Sequence, residues 1–226
     1  MKKRGKVRYL PGDGWNNIFK NPDVYRYYDL FSPHEDMVYV STLFSKRNIH
    51  KILDLGCGLG NNLFYLNKMG FETYGIDASN TATSQVKEKI DELGLSVKVT
   101  AGISQKLPYQ SNYFDAVISI QALHHGYEKD ILKGISEIER VIKPDGLIFI
   151  TLPGRISQNK LRYCLVKTAK KIEKNTYLPT IGDEIDVPHV IYNKKLIKKH
   201  YYSFKFINFW KDEKDYYCFI AQYKGN

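Results

Sequence analysis

From Lys51 to Thr151 the apolar and polar positions alternate between two rhythms. Short runs at 51–55, 71–76, 96–100, 114–120 and 147–151 are rich in apolar and β-branched residues, most densely at 114–120 and 147–151, which predicts strands buried on both faces. Between them, residues 61–69, about 79–93 and 129–141 repeat apolar positions at helical spacing. Gly70 and Gly94 follow two of these segments as C-terminal stops, and Pro144-Asp145-Gly146 marks a turn before the fifth strand. Strands that alternate with helices of 10–15 residues imply right-handed βαβ units on a parallel sheet. A further helix is expected near 193–200. Two strands at 204–210 and 216–223 flank the charged turn Lys211-Asp212-Glu213-Lys214-Asp215, and so short a connection permits only an antiparallel pair. The expected fold is a doubly wound α/β architecture: a seven-stranded, mostly parallel sheet with a terminal antiparallel strand.

Two stretches do not follow that rhythm. Residues 1–45 are aromatic-rich (Trp15, Phe19, Tyr25, Tyr27, Tyr28, Phe31) and read as a cap before the main domain at 46–226. Residues 153–192 read as an insertion that could close a pocket. Within it Leu161, Cys164, Leu165, Thr168, Ala169 and Ile172 share one helical face, with Lys160, Arg162, Lys167, Lys170, Lys171 and Lys174 around the rest. That basic helix, near 157–174, suits a solvated lid, contact with an anionic partner, or simple cover for the core.

Composition narrows the class. Hydrophobic residues make up 43% and charged residues 26% of 226, which fits a globular chain with a proper core and excludes a disordered or fibrous one. No uninterrupted apolar stretch, Leu147–Ile150 among them, approaches the roughly 20 residues that a bilayer crossing needs, so no membrane span is expected. The basic N-terminus runs into Pro11-Gly12-Asp13-Gly14 where a secretory signal would need apolar residues, so a cytoplasmic location is expected. Cys57, Cys164 and Cys218 show neither paired nor metal-ligand spacing, so no metal is expected. Thirty-four Lys and Arg against 24 Asp and Glu leave a formal charge of +10. The excess admits a nucleic-acid partner or a lysine-rich composition without function.

The chemistry concentrates where the first strand ends. Asp54-Leu55-Gly56-Cys57-Gly58-Leu59-Gly60 turns a strand into a helix, and glycine there lets a ligand approach the backbone without meeting a Cβ. A dinucleotide site would place GxGxxG at this point to hold a pyrophosphate. The spacing here is GxGxG, and the carboxylate of Asp54 would repel a diphosphate while suiting an ammonium. Asp77 ends the second strand, where it can accept from both hydroxyls of a ribose. Together these acids point to a nucleoside without a diphosphate.

Asp54-x-Gly56-x-Gly58-x-Gly60, Asp77, Leu107-Pro108-Tyr109 before Phe114-Asp115-Ala116-Val117, and Lys143-Pro144-Asp145-Gly146-Leu147 resemble class I S-adenosylmethionine-dependent methyltransferases over roughly residues 48–152. The resemblance implies that S-adenosylmethionine lies over Gly56, Cys57 and Gly58 with its ammonium near Asp54, its ribose on Asp77 and its adenine beside Ala78, and that Asn61 and Gln121 also contact it. S-adenosylhomocysteine would be the product. Relatives commonly carry an acid in Gly-Asp-x-x-x-Leu-Pro that accepts from the adenine amino group. This chain has Ile103 there, so Ile103 and Ser104 would hold the ring by packing and backbone groups.

Gln121-Ala122-Leu123-His124-His125 follows the fourth strand on the cofactor edge, and His125 is a candidate general base or a packing residue. Ile118-Ser119-Ile120-x-x-x-His-His also looks like tRNA wobble-uridine carboxymethyl methyltransferases. The segment Asp186–Tyr192 resembles one that returns over the active site in many small methyltransferases, which adds His189 as a second catalytic candidate and Tyr192 as a substrate contact. Trp15, Tyr27 and His124 complete the acceptor-side candidates. Aromatic faces attract a sulfonium as they do other cations, although they serve equally well as packing. The resulting expectation is methyl transfer to a small-molecule acceptor, with tRNA or RNA methylation and non-catalytic cofactor binding as alternatives.

Overall fold

The computed structural model describes residues 12–21, 32–154 and 169–225. Its centre is a seven-stranded sheet in the order β3-β2-β1-β4-β5-β10-β9. The parallel strands are β1 (Lys51–Leu55), β2 (Glu72–Asp77), β3 (Val97–Ala101), β4 (Phe114–Ile120) and β5 (Ile142–Leu152). β10 (Tyr217–Tyr223) runs antiparallel to both β5 and β9 (Phe204–Lys211), which confirms the expected terminal pair. The strand order reverses between β1 and β4, and in open α/β sheets a ligand crevice lies at the carboxyl ends of such neighbours.

Helices cover both faces. On one side α5 (Glu128–Val141) buries Ile131, Ile135, Ile138 and Val141 with α6 (Lys194–His200) beside it, each buried aliphatic contributing about 2 kcal/mol. On the other, α2 (Met37–Lys46) and α3 (Asn61–Lys68) pack Met37, Val40, Phe44 and Leu66 against Ile52, Ile118 and Phe149. α4 (Asn80–Leu93) packs Val86 against Leu63 and Val97 near the β3 edge. Ser79 caps α4 by accepting from the Ala82 amide, and Gly94 ends it in the left-handed region. Pro144-Asp145-Gly146 forms an excursion within β5: Ile142 pairs with Phe114 and Leu147 with Ala116, so four residues intervene where the partner strand has one.

Two regions depart from or extend the periodicity reading. Helix α1 (Asp13–Ile18) lies across the start of α4, where Asn16 Oδ1 accepts from the Ser79 hydroxyl at 2.7 Å. The Phe19 carbonyl accepts from Gln85 Nε2 at 2.8 Å. Tyr25, Tyr27, Tyr28 and Phe31 lie outside the described residues, as does most of the basic segment (155–168). At its end the helical spacing fails. Ala169–Lys171 is a strand, β6, paired antiparallel with β7 (Thr176–Pro179), and β7 pairs with β8 (His189–Val190). The Ile172 amide donates to the Thr176 carbonyl at 2.9 Å, closing a tight turn. Over Ala169–Ile172, the described end of that segment, backbone pairing with a neighbouring strand replaces the expected helix.

Candidate functional site

The carboxyl ends of β1, β2 and β4 open onto a cavity of about 400 Å³, within the range of small-ligand sites. Its floor is the glycine turn. Gly56 has φ 79°, and a Cβ there would stand 2.3 Å from the Ala122 Cβ, so the turn and the post-β4 loop touch only because Gly56 has no side chain. Asp77 braces the turn from β2: one carboxylate oxygen accepts from the Gly58 amide at 2.9 Å and the other from the Ser79 amide at 2.8 Å. A carboxylate offers about four accepting positions, so each oxygen retains one for a ligand hydroxyl. Cys57, Asn61, Ala78, Ser104 and Gln121 all line the same space.

Asp54 is 1% exposed beneath that floor, and its Oδ2 has no hydrogen-bond partner among the described residues. Burial, with the nearby charge of Asp77, pushes its pKa up to about 8. A buried acceptor of this kind lacks a cation or donor, and a ligand ammonium would supply both. Gln105 lines the adjoining wall, and its Oε1 is likewise buried without a partner.

The opposite wall is assembled from distant segments. Gln121 adopts φ 52° and its amide donates to Thr151 Oγ1, turning the chain at the end of β4. That turn brings His124 and His125 to the cavity, their ring centroids 3.8 Å apart. The insertion returns antiparallel to them: the Gly126 amide donates to the Pro188 carbonyl and the Val190 amide to the His124 carbonyl. His189 is thereby set behind His125, with centroids 4.7 Å apart, and Glu184 joins both. One Glu184 carboxylate oxygen is 3.1 Å from His189 Nε2 and the other 3.7 Å from His125 Nε2. Trp15 of α1 meets His125 edge-on at 4.8 Å. His34 also faces the cavity and is bonded to Asp212 at 3.2 Å.

The electrostatics of this wall follow from its dryness. Burial drives the pKa of His124 well down, with His125 and His189 adding to the effect. Burial also lowers that of His125, against an opposing pull from Glu184. Glu184 is buried too, which alone would raise its pKa, but the facing histidines outweigh that and hold it well below the usual carboxylate range.

Residues 53–150 match the family described as methyltransferase domain. That match covers a little under half of the chain. The chain is 29% identical over 128 residues to the methyltransferase YcgJ of Bacillus subtilis, covering 56% of this chain and 50% of that one. It is 36% identical over 141 residues to the tRNA (carboxymethyluridine(34)-5-O)-methyltransferase of Arabidopsis thaliana, covering 57% and 32%. The chain spans about half the length of the first curated relatives it matches. Its fold superposes on the PH0226 protein of Pyrococcus horikoshii with a TM-score of 0.68 at 21% identity, covering 90% of this chain and all of that one.

Around this cavity the sequence-derived positions divide unevenly. Gly56, Cys57, Gly58, Asn61, Asp77, Ala78, Ser104, Gln121, Trp15, His124 and His125 line one cavity, and Asp54 lies buried just below it. Three expectations are corrected. Ile103 does not line the cavity; its side chain is 38% exposed, because the residue on either side, Gly102 and Ser104, faces inward instead. Tyr192 is core: it is 1% exposed, packs with Tyr201 and Phe219, and has its hydroxyl 3.4 Å from His200 Nδ1. His189 is fully buried and reaches the cavity through His125 and Glu184. Tyr27 lies outside the described residues. Sequence reasoning missed Gln105, Phe19, His34 and Glu184 as cavity residues. Glu184 had no local signal, since only tertiary pairing brings it to the histidines.

Proposed function

We propose that this chain binds S-adenosylmethionine in the cavity above the glycine turn and transfers its methyl group to a small-molecule acceptor arriving at the His124–His125 wall. One observation carries the reading: Asp77, with spare accepting capacity, lines a cavity whose Leu55–Gly58 floor follows directly on Asp54, and the buried Oδ2 of Asp54 has no hydrogen-bond partner among the described residues. A partner for a ribose diol on one strand end and for an ammonium on the next together suit a nucleoside amino acid. When bound, that cofactor presents an electrophilic methyl group on a sulfonium, which a nucleophile displaces in line.

The chain's own residues position and exclude. Asp77 holds the ribose hydroxyls, Asp54 takes the ammonium, and Gly56–Gly58 lets the methionine part lie against backbone. Gln105 Oε1 takes the role that Ile103 cannot, accepting from the adenine amino group, which offsets the missing acid. Trp15 and Phe19 close the cavity over the glycine turn and shut out water, and the indole face suits a sulfonium. The acceptor then meets the methyl group between Trp15 and the histidine wall, where alignment supplies most of the rate.

A small acceptor is favoured because Trp15 of α1 and Glu184 line the cavity together with His124 and His125. The rival, transfer to tRNA, draws on the charge of +10 and the Arabidopsis relative. The test is incubation with S-adenosylmethionine carrying a labelled methyl group, in the presence of total tRNA and of a low-molecular-mass extract. Label in the small-molecule fraction is expected. Label in acid-precipitable tRNA would overturn the acceptor assignment, and no adenosylhomocysteine from either would overturn the enzyme.

A further inference from the structure

The histidine wall has a feature that methyl transfer by alignment does not require. His189 Nδ1 lies 2.7 Å from the Val187 carbonyl oxygen, and His125 Nδ1 lies 3.1 Å from the Ala122 carbonyl oxygen. A carbonyl only accepts, so each Nδ1 carries the proton and donates. In a neutral imidazole this leaves a lone pair on Nε2. Both Nε2 atoms point at Glu184, another acceptor, at 3.1 and 3.7 Å. Three acceptor atoms that converge in a dry place are arranged to hold a cation among them. His124 adds two more buried ring nitrogens with no hydrogen-bond partner among the described residues.

We infer that His124, His125 and His189, together with Glu184, form a binding site for a divalent transition metal of the zinc type. One ligand atom from each histidine can be chosen so that all three lie within 4.8 Å of one another. Imidazole nitrogens with a carboxylate suit zinc and its neighbours far better than calcium or magnesium, which prefer oxygen. Metal-bound histidines characteristically donate their other ring N–H to a backbone carbonyl or carboxylate, which fixes ring and tautomer; His125 and His189 already do so. His124, His125 and Glu184 line the cavity while His189 backs them, so the ion would be anchored in the core and open toward the acceptor. This last point rests on the methyltransferase reading. There the ion would bind the acceptor's donor atom and lower its proton affinity, doing the work otherwise given to a histidine base. The alternative cation is a proton shared with Glu184, in which case no metal is taken up.

The experiment uses the tag-free full chain, stripped with chelator and titrated with zinc by calorimetry and with cobalt by visible absorption. One equivalent per chain is expected, with cobalt ligand-field bands that show bound imidazole. His125→Gln and Glu184→Gln should each weaken zinc affinity by roughly 10–100-fold or more while leaving adenosylhomocysteine affinity in place. His124→Gln serves as a third variant should either fail to fold by circular dichroism. No stoichiometric uptake by the unmodified chain would overturn the site, as would uptake that survives all three substitutions. Adenosylhomocysteine binding without metal uptake sinks the metal site alone. Metal uptake without adenosylhomocysteine binding supports the metal site and sinks the methyltransferase reading.

Discussion

The two walls of the cavity are built in opposite ways. The cofactor wall is local: Asp54 to Gly60 form one turn, and Asp77 reaches it from the adjacent parallel strand, with Asp54 paired to Gly75 and Leu55 to Ile76 in register. The acceptor wall is composite: α1, the turn after β4 and the Glu184–Val190 return come from three places in the chain. On the proposed function the first wall always meets the same cofactor, so it can stay constant whatever the acceptor. The second can be rebuilt by altering segments outside the central sheet, which fits a fold whose specificity resides in grafted loops.

The strongest way to break the cofactor wall is to fill it. Gly56→Val places a branched side chain at φ 79° and 2.3 Å from the Ala122 Cβ, coupling both walls. It should cost about 3 kcal/mol or more in stability by thermal melting, together with loss of adenosylhomocysteine binding. A variant as stable as the parent would show that the two walls do not touch there. Asp77→Ala acts on the cofactor wall alone and should weaken adenosylhomocysteine binding by about 1–3 kcal/mol in calorimetry. Unchanged affinity would remove Asp77 from the ribose.

pH sharpens the contrast next. Asp54 has its pKa raised from 3.8 to about 8 in the ligand-free fold, so between those values the folded chain holds a proton that the unfolded chain has lost. Stability from this group is therefore complete below about pH 4 and declines as pH rises toward 8. An incoming ammonium favours the ionised acid, so binding below pH 8 must expel the proton. Adenosylhomocysteine affinity should rise with pH toward 8, by at most about 1.4 kcal/mol per unit, with proton release seen as a buffer-dependent enthalpy. Asp54→Asn should flatten that slope; a slope that persists would place the titrating group elsewhere. Smallest, Gln105→Leu should cost about 0.5–1.5 kcal/mol in adenosylhomocysteine affinity, since it removes one neutral hydrogen bond. No loss would leave the adenine amino group with solvent.

Legibility follows the same division. The sheet and the cofactor wall are readable because their signals are contiguous: buried strands, a glycine turn, and an acid at each of two strand ends. Ile103 misled because a motif position was taken as an inward-facing one, while the side chains that face inward are those of its neighbours, with Gln105 offering the acceptor. Tyr192 misled because a segment passing the site also has a core face, and its ring turned to His200. The pairing of His125 with His189 through an isolated antiparallel bridge is a long-range event, invisible to spacing. At 169–174, lysines interspersed with Ala169 and Ile172 satisfied a helical pattern by composition, and β7 decided the outcome.

The central claim is that one phosphate-free nucleoside amino acid lies along the cofactor wall from Asp77 to Asp54. The most direct measurement is a crystal structure with adenosylhomocysteine. The account predicts the ribose diol on the Asp77 carboxylate, the amino group over Asp54, and the sulfur turned toward His124 and His125. A ligand seated elsewhere, or a dinucleotide lying across Gly56–Gly60, would contradict it.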